Sequence, residues 1–135
     1  MYMLDTNILI FAIKHPTGVI VDRIIEHAVR GELCISSVTY GELEIGILKS
    51  RWPEKSRRAV ESVLAGIPIL SYDQQAACCY AWIKTRLEKE GIPVGDPDMM
   101  IGGHASASGC ILVTHNRRHF DRMNLPLEDW LEGLQ

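Results

Sequence analysis

Three acids and one amide in this chain stand where chemistry is done. Asp5 follows the short apolar run Tyr2-Met3-Leu4 and precedes Thr6 and Asn7. In an open α/β sheet, ligands bind beyond the C-terminal ends of the strands, so a carboxylate at that position faces a crevice. A buried carboxylate needs hydrogen bonds, a counter-charge or a metal. Glu42 lies about one turn into a helix that opens after Ile35-Ser36-Ser37, and taken alone it reads as an acid favoured by a helix N-terminus. Asp98 follows Asp96-Pro97, a helix start, and leads into residues 99–105, nearly all apolar or small except His104. A helix of that composition is buried, which turns its N-terminal acids toward a crevice. Asn116 ends the run that begins at Ile111. If the strands are parallel, all four residues arrive at one edge of the sheet. Three carboxylates gathered there repel one another and raise each other's pKa values. A hard divalent cation removes the conflict. Oxygen donors without a thiolate cluster suit Mg²⁺ or Mn²⁺ better than structural zinc. Such a centre activates water and stabilises in-line displacement at phosphorus. No Ser–His–Asp or Cys–His set is evident.

The elements that must position these residues alternate. Strand-like runs fall at 2–4, 33–36, 67–70 and 111–114, with a weaker fifth near 125–127. Helical patterns occupy 8–13, 19–30, 38–49, 54–64, 73–89 and 97–106. Ala76, Tyr80, Ile83 and Leu87 recur at helical spacing, and Gly91 follows as a stop. This alternation predicts an α/β fold: a mostly parallel sheet with helices on both faces. Pro68 lacks a ladder donor and points to an edge strand.

The 135 residues suffice for one domain, 1–135, with a sizeable core. A net charge of −3 supplies no global field for nucleic acid, so any such contact must use local patches. Asp5 and the lack of a basic start argue against a secretory leader, and no apolar run is long enough to cross a bilayer. Cys34, Cys78, Cys79 and Cys110 lack metal or redox spacing and read as buried, reduced thiols of a cytoplasmic protein.

Five segments, in order, resemble the PIN-domain ribonuclease toxins of the VapC family of type II toxin–antitoxin modules. They are L-D-T-N-I (4–8), I-S-S-V-T-Y-G-E-L (35–43), P-V-G-D-P-D-M-M-I-G-G-H-A (93–105), L-V-T-H-N-R-R-H-F (112–120) and L-E-D-W (127–130). The resemblance implies an α/β/α sandwich with a five-stranded sheet and a Mg²⁺- or Mn²⁺-dependent endoribonuclease. It also implies a homodimer and a VapB-type antitoxin, through which alone operator DNA would be bound. The G-H-A and E-D-W segments look closest to the enterobacterial-type members, which cleave initiator tRNA in the anticodon loop. Carried over by position, Asp5, Glu42 and Asp98 match the acidic ligands. Asn116 falls where many members have a fourth acid, and its amide adds no charge. That departure keeps open a non-catalytic module that binds RNA or antitoxin without efficient cleavage. Thr6 and Thr114 look like hydroxyls that hold the carboxylates, with Asn7 beside them. Asp96 is a further departure: it either restores some of the missing charge or, the favoured reading, caps its helix.

The remaining polar residues divide into two basic clusters and the histidines. Arg117, Arg118 and Arg122 lie beside the acids, while Lys49, Arg51, Lys55, Arg57 and Arg58 form a second group. Both are candidates for phosphate contacts or for an acidic antitoxin segment, with Lys49, Arg51, Arg117 and Arg118 foremost. His115 and His119 have the i, i+4 spacing of a zinc pair but lack its glutamate, and read as solvated. His104 reads as a core histidine and Trp82 as a residue of core or dimer packing.

Overall fold

The computed structural model describes residues 1–134. Its elements run β1 (Tyr2–Leu4), α1 (Thr6–Lys14), α2 (Val19–Val29), β2 (Leu33–Ser36), α3 (Ser37–Lys49), α4 (Pro53–Leu64), β3 (Ile69–Leu70), α5 (Gln74–Lys89), α6 (Asp96–Ala107), β4 (Ile111–Val113), α7 (Arg117–Phe120) and β5 (Leu127–Glu128), with a 3₁₀ turn at Asp121–Met123. All five strands are parallel and lie in the order β3-β2-β1-β4-β5. The two strands that carry Asp5 and Asn116 at their ends, β1 and β4, are therefore neighbours. β3 is an edge strand, where Pro68 does no harm: it lacks a donor, but its carbonyl still accepts Ile35 N–H at 3.0 Å.

The two-residue period of the strands divides the core between the two faces of the sheet. Leu4, Leu33, Ile35 and Val113 point to one face and pack against Ile8, Leu9 and Ile24. Met3, Cys34 and Leu112 point to the other and pack against Ile83, Leu87 and Met99. Helices thus cover both faces, as an all-parallel sheet requires. The strands are short; β2 is buried throughout, while the edge strands β3 and β5 are only partly covered.

Several sequence expectations need correction. The fifth strand begins at Leu127, later than its apolar run suggested, because Pro126 can accept from Leu112 N–H but cannot donate. Cys34 and Cys110 are buried, with their Sγ atoms 3.8 Å apart, and burial pushes the Cys34 thiol up to about 12. Cys78, however, is exposed, as is Trp82, which lies beside the Arg86 guanidinium; this overturns the core reading of Trp82 and not the dimer one. His104 is buried, and its Nδ1 lies 2.7 Å from Ser36 Oγ.

Candidate active site

Asp5 is both the residue after β1 and the N-cap of α1. Its Oδ1 accepts Ile8 N–H at 3.0 Å, which satisfies one of the orphan donors of the helix. Its Oδ2 accepts the Thr114 hydroxyl at 2.5 Å. The side chain is only 3% exposed. Burial lifts its pKa from 3.8 to about 6; the Thr114 and Ile8 bonds oppose that rise, and the charges of Asp98 and Glu42 add to it. The last two contributions carry structural information: the three acids, drawn from three segments, are close enough to repel.

Glu42 lies beyond the first turn of α3, whose N-cap is Ser36, so it is not part of a capping box. Its Oε1 accepts the Thr6 hydroxyl at 2.5 Å. Thr6, the first residue of α1, thereby ties that helix to α3. Asp98 stands in the first turn of α6 and is half-buried. Among the described residues, Glu42 Oε2 and Asp98 Oδ1 accept no hydrogen bond.

The fourth corner differs from the expectation. Asn116 N–H donates to Thr114 Oγ1 at 2.9 Å, which fixes the turn out of β4. Its amide Nδ2 lies 2.8 Å from His119 Nδ1, and that same ring nitrogen lies 2.6 Å from Asp98 Oδ2. His119 thus contacts Asp98, while its side chain stays 43% exposed, as the solvated reading expected. No local pattern separates it from His115, because α7 is a single turn of four residues. His115 instead turns to Asp129, at 3.0 Å.

Asp96 does not cap α6. Gly95 is the N-cap, without a side-chain bond, and the Asp96 carboxylate reaches back to α5. There it accepts from Lys84 Nζ at 2.8 Å and Tyr80 Oη at 2.9 Å, which together hold its carboxyl below the usual range. Its charge is answered by Lys84 and is not offered to the other acids. Asn7 is exposed and shares a cleft of about 440 Å³ with Lys14, His115 and Asn116. Arg117 lies 3.7 Å from Asp121. Arg118 is exposed on α7, Lys49 ends α3 about two turns beyond Glu42, and Arg51 lies in the connection from α3 to α4. Arg57, from the second basic group, is held by Glu44 at 2.5 Å.

The donor set suits a hard cation. All three carboxylates offer oxygen, and Lys84 is engaged elsewhere. Among the described residues, no three acidic, histidine or cysteine side chains converge tightly enough to ligate one ion on their own. Carboxylate oxygens are the donors that Mg²⁺ takes, one or two at a time with several waters. The arrangement does not fit a closed all-protein cage.

The five-stranded parallel sheet and the acids at its edge define a class. The PIN domain family matches residues 2–125. The chain is 43% identical, over 96% of its length and 97% of the relative's, to the tRNA(fMet)-specific endonuclease VapC of Shigella flexneri. It superposes with a TM-score of 0.89 on the DNA-bound VapBC of Salmonella typhimurium, at 41% identity over 96% of this chain and 97% of that one. Against VapBC2 of Rickettsia felis, bound to a promoter DNA fragment, the TM-score is 0.90 at 32% identity, over 96% and 98% of the two chains. The chain belongs to the VapC family of PIN-domain ribonucleases.

Proposed function

We propose that this chain is the toxin of a type II toxin–antitoxin module and hydrolyses tRNA, the initiator tRNA in its anticodon loop, with Mg²⁺ or Mn²⁺ as cofactor. The observation that carries the metal-dependent chemistry is the grouping of three carboxylates, in which the charges of Glu42 and Asp98 both act on the buried Asp5. The tRNA target rests on similarity to the Shigella flexneri enzyme.

Asp5 and Asp98 are the residues that would hold the cation, with Glu42 acting through water. When bound, the cation lowers the pKa of water and stabilises charge on the phosphorane-like transition state. The chain's own residues set the geometry. Thr114 and Ile8 N–H keep the Asp5 carboxylate in one orientation, and Thr6 does the same for Glu42. The free Glu42 Oε2 is the acceptor that orients the attacking water. Arg117 and Arg118 flank the site from α7 and would neutralise adjoining phosphates. Attack on phosphorus with departure of the 3′ oxygen leaves a 5′-phosphate and a 3′-hydroxyl.

A VapB-type antitoxin is the partner this reading requires, with operator DNA bound through it, on a homodimeric toxin in the cytoplasm. An apolar groove between α1, α3 and α4, lined by Ile10, Ile13, Ile47, Trp52 and Val60, opens onto Glu42. An amphipathic helix laid there would cover the entrance to the acids.

The test is incubation of purified protein with total tRNA and Mg²⁺, with sequencing of the new ends. Cleavage in one anticodon loop, lost with chelator and in Asp5→Ala of retained fold, is the expected result. Full cleavage by Asp5→Ala would sink the assignment. Tight Mg²⁺ binding without cleavage would return the non-catalytic module.

A further inference from the structure

We propose that His119 is a positioning residue of the site: its Nδ1–H holds Asp98 Oδ2, so that Oδ1 is left to the cation. The inference rests on the reading of Asp98 as a cation ligand and goes beyond it, since the fourth corner becomes an imidazole in place of the expected amide or acid.

The geometry carries the assignment. His119 Nδ1 lies 2.6 Å from Asp98 Oδ2 and 2.8 Å from Asn116 Nδ2. A neutral ring nitrogen has either one proton or one lone pair, so it cannot receive from the amide while donating to the acid. An ionised carboxylate only accepts, which puts the proton on Nδ1 and directs it to Asp98. The Asn116 amide is then best placed with its oxygen toward His119, as a second acceptor of the same proton. The neutral Nδ1–H tautomer suffices, and no titration is needed. The backbone that carries the ring is fixed as well. His119 N–H donates to Asn116 C=O at 3.1 Å, and the next residue, Phe120, is fully buried and anchors α7. The side chain is 43% exposed, so its side-chain bonds and not burial set its orientation. The consequence is a carboxylate held in one rotamer with a single free oxygen, which suits the octahedral demands of Mg²⁺.

The experiment is a calorimetric titration of Mn²⁺ into the metal-free, full-length protein, with thermal melts of each variant. His119→Ala is expected to weaken Mn²⁺ binding by about 10–100-fold, the usual effect of losing such a partner. His119→Asn, which places an amide N–H near the former Nδ1–H, is expected to restore most of the affinity. Ring ¹⁵N spectra of the metal-free wild type should show the Nδ1-protonated form. Wild-type affinity in His119→Ala overturns the proposal alone. So do a His119→Asn variant as weak as His119→Ala, and an Nε2-protonated neutral ring. A wild-type protein that binds no Mn²⁺ overturns the metal reading as well, which separates the two failures.

Discussion

Thr114 Oγ1 lies 2.5 Å from Asp5 Oδ2, and its oxygen also receives Asn116 N–H at 2.9 Å. One hydroxyl thus ties the end of β4 to the acid at the end of β1 and to the turn that opens α7. It is fully buried, so no water can replace it at low cost. Thr114→Val keeps the shape and removes the donor. Cleavage at neutral pH is expected to fall about 10–100-fold. The Thr114 bond lowers the Asp5 pKa, so its loss should move the acidic limb of the pH–rate profile upward. Thr114→Ser should keep both near wild type. An unchanged profile in Thr114→Val would remove Thr114 from the site.

Metal-free stability should depend on pH through Asp5. Burial lifts its folded-state pKa from 3.8 to about 6. The folded protein therefore holds that proton more tightly than the unfolded chain. The stability this confers is full below pH 3.8, is lost as pH rises to about 6, and stays lost above. The gap corresponds to about 3 kcal/mol, or on the order of 10 °C in melting temperature. Asp96 and Glu44, whose pKa values are lowered by Lys84 and Arg57, work in the opposite sense, so the useful quantity is a difference between variants. At pH 7 in chelator, Asp5→Asn should melt above wild type, and the gap should close at pH 4. Saturating Mn²⁺ should stabilise wild type and not the variant. Equal melting temperatures at pH 7 would count against a strained, ionised Asp5.

Two aspartates separated by one proline should behave as strangers. Asp98 is turned toward Asp5 and His119, whereas Asp96 is exposed and paired with Lys84. Asp98→Asn should reduce cleavage by more than about a hundredfold. Asp96→Asn should leave cleavage and melting close to wild type, because an exposed ion pair contributes little. A matched loss in both would mean that Asp96 serves the cation after all.

This contrast also marks where the sequence stops being legible. Strand ends and helix starts could be read, because apolar runs and Ser36 or Pro97 punctuate them; that put Asp5, Glu42 and Asp98 at one edge. Whether Asp96 caps its helix or reaches another depended on Lys84 and Tyr80, one helix away, and no local pattern encodes a pairing across α5 and α6. His119 was hidden for a different reason. Arg117–Phe120 makes a single turn, too short for any periodicity to show which side chains face inward. Pro68 and Pro126 trimmed β3 and β5 because missing donors decide where a ladder starts.

The placement of Asp98 also depends on a glycine that looks unremarkable in the sequence. A Cβ on Gly103 would lie 2.6 Å from Tyr80 N and 2.8 Å from Tyr80 Cα, so α6 and α5 touch there backbone to backbone. A Cβ on neighbouring Gly102 would instead meet the Met123 Sδ at 2.6 Å, near the end of a flexible side chain. Both changes to alanine gain about 1 kcal/mol of helix propensity. At Gly102 a rotamer change at Met123 can absorb the contact, and the net effect should be small. At Gly103 the helices must part, at a cost of about 1–3 kcal/mol or more, which exceeds the gain. Because α6 carries Asp98 in its first turn and α5 carries the Lys84 that holds Asp96, parting them also disturbs the acids. Gly103→Ala should therefore lose stability in urea and cleavage together, while Gly102→Ala keeps both. If Gly102→Ala proves the more damaging, the close approach of α5 and α6 is not what fixes the position of Asp98.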